Sequence, residues 1–110
     1  MATFTFFYKF RVDLQKFSSG QQLLEKWHQE AQGAMQAINA GAVQAWKDAA
    51  DAVVYAILTV EADNPAQAHG NVLHIFGSLP MGASGELIIE EARAVLPYQQ
   101  WAQYLAGRER

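Results

Sequence analysis

Residues 3–12, TFTFFYKFRV, put Phe4, Phe6, Tyr8, Phe10 and Val12 at every second position, with Thr3, Thr5, Phe7, Lys9 and Arg11 between them. A period of two with aromatic rings on one side is the pattern of a β-strand whose apolar side must be covered. The cover follows directly. Residues 19–39 contain no proline, are rich in Gln, Ala, Leu, Glu and Lys, and are preceded by the capping residues Ser18 and Ser19, which predicts a helix. At about 100° per residue, Leu24, Trp27, His28, Ala31, Met35 and Ile38 share one stripe, which is expected to lie on the sheet. Gly41 stands where a left-handed helix cap is wanted.

Two strands come next, a short one at Val43–Lys47 and a long one at Val53–Glu61, joined by a turn at Asp48–Asp51. Asn64-Pro65 opens a second helix with the stripe Ala68, Val72, Leu73, Ile75, Phe76 and Leu79, closed by Gly77 and Leu79-Pro80. MGASG reads as a loop and ELIIEEARAVL as a last strand, with Leu87 and Ile89 on one side and Ile88, Glu90 and Ala92 on the other. The predicted fold is α+β: a ferredoxin-like βαββαβ chain with a four-stranded antiparallel sheet and two helices on one face. Residues 1–96 form the domain and residues 97–110 an amphipathic appendage. Tyr98, Trp101, Tyr104 and Leu105 in that appendage call for docking, on the chain's own sheet edge or on a partner subunit.

The far side of such a sheet would leave Phe7 and one apolar row of the third strand in water, and no third helix layer is available to cover them. A second copy is the simplest cover, so a homodimer or higher homo-oligomer is expected. A chain of 110 residues also buries only about two thirds of its unfolded surface, which favours association. The formal net charge of −3 provides no basic footprint, so nucleic acid is not an expected partner. No apolar run approaches the roughly 18 residues of a membrane span, and the N-terminus has no signal-peptide pattern, so the expectation is no membrane and a cytoplasmic location. With no cysteine, disulfides, thiolate metal sites and a cysteine nucleophile are excluded.

From Glu30 onward, the helix ending at Gly41, Trp46 on a short strand, Tyr55 in a long apolar strand, Leu79-Pro80 closing a helix, and the acidic strand ELIIEEARAVLP together resemble the muconolactone isomerase-like branch of the dimeric α+β barrels. About 65 of the 110 residues carry the resemblance. It implies a dimer joined sheet to sheet as a barrel, with a small-molecule pocket between sheet and helices in each subunit. It assigns no catalytic residue.

His28, at the centre of the first helix's stripe, is expected to point at the sheet, either as a core histidine bonded to a carbonyl, Tyr8 or Tyr55, or as a general base. Tyr8 and Tyr55, on neighbouring strands, would steady a developing enolate oxygen. Phe6, Trp27, Trp46 and Met35 complete an apolar lining for a small aromatic or lactone-like ligand. His69 lies at the edge of the second helix's stripe and His74 outside it, so they share no face for a metal, and no metal or cofactor is expected. Glu86 and Glu90 are expected on one face of the last strand with Glu91 opposite, and to be edge charges rather than a catalytic pair. The function expected from these residues is binding of a small apolar molecule, with isomerisation by proton transfer as its chemistry. A non-catalytic ligand-binding or oligomerisation module and a cofactor-free monooxygenase stay open as alternatives.

Overall fold

The computed structural model describes residues 2–108. The chain runs β1 (Ala2–Val12), a 3-10 turn (Leu14–Lys16), α1 (Gly20–Asn39), β2 (Val43–Lys47), β3 (Val53–Ala62), α2 (Pro65–Ser78), α3 (Pro80–Ser84), β4 (Leu87–Val95) and α4 (Tyr98–Arg108). The four strands form one antiparallel sheet in the order β2-β3-β1-β4. The class is α+β, with four helices rather than two.

The local rules that start these elements are visible in their bonds. Ser19 Oγ accepts from the Gln22 N–H at 3.1 Å, and Gln22 Oε1 accepts in return from the Ser18 N–H at 2.7 Å. Asn64 and Gln67 repeat the device at α2, where Pro65 takes a first-turn position that needs no N–H donor. Gly41 has φ 82°, the left-handed value expected of it past α1.

Phe6, Tyr8, Phe10 and Val12 are buried under the helices, as the period of β1 requires. Phe6 stands opposite Leu58 and Tyr8 opposite Ala56, and Phe76 of α2 packs edge-on against Phe10 with ring centroids 4.4 Å apart. The other face carries Thr5, Phe7, Lys9 and Arg11 of β1, with Tyr55, Ile57 and Thr59 of β3 beside them.

Four features differ from the sequence-based expectation. First, α1 is turned by roughly 90° about its axis. Its inward side is Leu23, Trp27, Glu30, Ala34 and Ile38, while Leu24 is 69% and Met35 48% exposed. The reason is close approach: a Cβ at Gly33 would lie 2.7 Å from Leu79 Cδ2, so α1 docks by its small-residue side.

Second, MGASG is no loop. Residues 80–84 form α3, which stops at Gly85 in a left-handed conformation with φ 85°. Third, β4 carries an irregularity opposite Lys9 and Phe10, which adds Glu90 to the strand and reverses the alternation after it. Ala92 therefore stands opposite Tyr8, and Glu91 opposite Lys9. Glu90 pairs with Lys9 at 3.5 Å and Arg11 at 2.8 Å, whereas Glu86 turns to Lys26 of α1, so the two acids do not share a face. Fourth, α4 forms three turns but has no buried residue, so it is not docked on its own sheet edge.

Candidate functional site

α1 crosses the sheet on alanines. Ala34 and Ala37 face Val43, Ala45, Val54 and Ala56, and side chains this small leave the helix-to-sheet space unfilled. The result is a largely apolar cavity of about 220 Å³, open to one side and lined also by Phe10, Phe76 and Met81. That is smaller than the roughly 300–1,000 Å³ of a drug-sized site and suits a small ligand.

Two ionisable side chains line this largely apolar wall, Lys47 at the β2 edge and Glu30 within. Glu30 is 8% exposed and is the buried charged residue among the described residues. Its Oε1 accepts from the Met81 N–H at 2.7 Å, and the Gly82 N–H also points at it. These are orphan donors of α3, whose N-cap residue Leu79 has no side chain able to accept them. Glu30 thus caps a helix from another helix.

Burial pushes the Glu30 carboxyl above the usual carboxylate range, against the pull of the Met81 N–H and the Lys26 charge. The nearby Glu86 adds to the upward shift. Glu86 is itself constrained: Oε1 lies 3.9 Å from Lys26 Nζ, and Oε2 is buried with no hydrogen-bond partner. Lys26 also donates to Ser84 Oγ at 2.9 Å. Two carboxylates and one ammonium therefore sit at the junction of α1, α3 and β4, with one carboxyl reaching the cavity.

Because the fold raises the Glu30 pKa, the folded state holds this proton more tightly than the unfolded chain. Stability should therefore fall as pH rises from the ordinary carboxylate range through the raised value. Asp48, Asp51 and Glu90 act in the opposite sense. Backbone N–H donors hold Asp48 and Asp51 low and Arg11 holds Glu90 low, so their stabilisation is lost as pH falls. Comparison with Glu30→Gln isolates the buried group, since the amide oxygen keeps the bond from Met81. The melting temperatures of the two proteins should coincide near pH 4, and the variant should lead by roughly 4–8 °C per kcal/mol of relief at pH 7. A gap independent of pH would contradict a raised Glu30.

The expected site residues divide among three places. Trp27 borders the cavity, while Met35 and Trp46 touch only its rim, Met35 about half exposed on the outer side of α1 and Trp46 opposite Tyr55 in the register. Trp27 also carries Lys47 Nζ 5.4 Å above its ring, and that ammonium donates to the carbonyls of Asp48 and Asp51 at 2.6 Å each. Phe6 and Tyr8 are core residues under α2, outside the cavity. The Tyr8 hydroxyl lies 3.0 Å from His69 Nδ1 with the two rings stacked, so its partner is the histidine at the edge of the α2 stripe. Burial raises the Tyr8 pKa, which keeps the phenol neutral.

Tyr55 and His28 do not join them. Tyr55 lies on the other face of the sheet, stacked on Phe7 with centroids 6.3 Å apart and donating to Asp48 Oδ2 at 3.2 Å. Period two forces this separation, because Tyr55 stands opposite Lys9 and not opposite Tyr8. His28 is on the outer surface of α1, its Nε2 3.3 Å from Gln32 Nε2, since the rotation of α1 carries it away from the sheet. Glu30 takes the inward place expected of His28. A second stripe at helical spacing, Trp27, Glu30, Ala34, Ala37, is the signal that would have found it.

Among the described residues, no group of three or more His, Asp or Glu side chains is placed to hold a metal ion, and no helix is long and apolar enough to cross a membrane. No protein-family model matches the chain, and no curated protein matches it either.

Proposed function

We propose that this chain is a small-molecule-binding protein of the ferredoxin-like, dimeric α+β barrel type. It holds a small, largely apolar carbonyl compound between α1 and the sheet, and Glu30 exchanges a proton with it. The observation that carries this reading is one carboxyl, 8% exposed and with a raised pKa, on the wall of a cavity whose other lining is apolar except for Lys47. Such a carboxylate is a stronger base than one in water and its acid a usable donor, as an isomerase needs. The Glu30 carboxylate takes a proton from the carbon beside the ligand's carbonyl, leaving the electron pair as an enolate. The resulting acid returns the proton to another carbon, so no electrons leave and no co-reactant is required.

Dimerisation belongs to the same reading. The open face of the sheet combines Phe7, Tyr55, Ile57 and Val95 with charges already paired inside the chain: Lys9 and Arg11 to Glu90, Arg11 to Asp51 at 3.1 Å, and Arg93 to Glu91 at 2.6 Å. Covering this face would bury these charges as pairs, with Glu61 standing at its end opposite Thr3. The hydrogen bond from Met81 to Glu30 favours a second reading, in which the same cavity binds without turnover and Glu30 serves only as the cap of α3.

Lactones and quinol-like compounds, screened for saturable binding, test the cavity. Ala34→Phe puts a ring into the space and should weaken any hit by more than about tenfold, equivalent to roughly 1.4 kcal/mol. His28→Leu, on the outer surface, should leave affinity unchanged. An Ala34→Phe protein that is folded and binds as well as the parent would overturn the assignment.

A further inference from the structure

α4 is an amphipathic helix without a partner. Tyr98, Trp101 and Leu105 line one side at 3-4 spacing, Tyr104 stacks on Trp101 at 5.7 Å, and Gln99, Gln100 and Gln103 occupy the opposite side. An 11-residue helix with so many exposed rings is marginal in water unless something packs on it. Its own chain offers nothing, for the molecule extends 61 Å along one axis against 28 and 23 Å along the others, and every residue of α4 is exposed.

A matching seam exists elsewhere on the same chain. The rotation of α1 leaves Leu24, His28, Ala31 and Met35 outward at 4-3-4 spacing, and a shallow groove runs between His28, Ala31, Met35 and Asn39. Spacings of three and four on both helices are those of a knobs-into-holes pair. Within this copy the two lie apart. α1 lies along the β2 side of the sheet and α4 leaves from β4, the opposite edge.

The surface area points to the same occupant. The chain exposes 7438 Å². A compact monomer of 110 residues would expose about 6,000 Å². The surplus exceeds the roughly 800 Å² that each partner buries in a standard interface. We propose that α4 is an exchange arm, crossing to a second copy of this chain and packing its Tyr98–Trp101–Leu105 side on that copy's outer α1 seam. This rests on the dimer part of the reading above, because a single helix is too small to hold two chains together alone.

The absence of cysteine makes the test clean. Full-length Ala31→Cys and Ala102→Cys chains are mixed in equal amounts, treated with a short bis-maleimide, and weighed in parallel by sedimentation. The mixture should give about tenfold more linked pair than either variant alone, because docking raises the effective concentration of the two thiols. Adding Leu105→Glu to the Ala102→Cys chain should abolish the excess. A dimeric mass without the mixed cross-link overturns the arm and leaves the sheet-to-sheet dimer standing. A monomeric mass overturns both. A double variant that links only within one chain overturns exchange, as does a monomer whose Trp101 side is taken up by lipid vesicles.

Discussion

Phe7→Glu is expected to turn the proposed sheet-to-sheet dimer into a monomer, or into aggregate, without disturbing the interior of the subunit. Phe7 stands near the middle of β1 on the face away from the helices, opposite Ile57 on β3 and Arg93 on β4, with its ring against Tyr55. A carboxylate placed there would have to be stripped of water at the interface, and its cationic neighbour Arg93 is already paired with Glu91, so the cost is about 3 kcal/mol or more. That is over a hundredfold in dissociation constant. The buried side of β1 is untouched, so far-ultraviolet circular dichroism should be unchanged. Gln29→Glu adds the same charge on an exposed turn of α1 and should leave the mass alone. Sedimentation at micromolar concentration decides, and a parent chain that already sediments as one subunit would contradict the interface.

Gly82→Ala should be the most damaging single methyl group in the molecule. A Cβ at Gly82 would lie 2.0 Å from the Phe76 carbonyl oxygen and 2.9 Å from its carbon. Both are backbone atoms near the end of α2, so no side-chain rotation relieves the clash, and the corner between α2 and α3 must open. Opening it would pull Met81, fully buried, and the two N–H groups away from Glu30. The expected loss is about 3 kcal/mol, a fall in melting temperature of more than roughly 10 °C for a chain of this size. Gly70→Ala and Gly77→Ala are the controls. Both glycines sit in α2 with open space where the methyl would go, so each should hold or raise stability by about 0.5–1 kcal/mol. A Gly82→Ala protein that melts within a few degrees of the parent would show that the corner is looser than its geometry implies.

The strands β1 to β3 and the limits of α1 and α2 were legible because each rests on a local rule. The alternation of β1, the Ser19 and Asn64 caps, Gly41 past α1, and Pro65 at the start of α2 all act within a few residues. The orientation of α1 was not, because it is decided by a partner distant in sequence. Counting apolar side chains favours Leu24 and Met35, but the contact that fixes the helix is made by Gly33 and Leu79, and by Glu30 with α3. The same error moved the candidate site. A glutamate among apolar residues reads as solvent-facing until the donors it satisfies are known, and those donors belong to a segment, MGASG, whose glycines suggest a loop. The irregularity in β4 was hidden in a similar way, since Glu90 joins the strand to meet Lys9 and Arg11 on its neighbour.

The space between α1 and the sheet is the ligand site proposed above, governed by Glu30. Its most direct test is a methyl-detected NMR titration with the strongest small carbonyl compound found, run at pH values either side of the Glu30 transition. Saturable shifts are expected, centred on Ala34, Ile38, Val43, Ala56 and Met81, with an affinity that changes between the two pH values in the parent and not in Glu30→Gln. Shifts confined to the open sheet face or to the outer surface of α1, or an affinity indifferent to pH in both proteins, would contradict it.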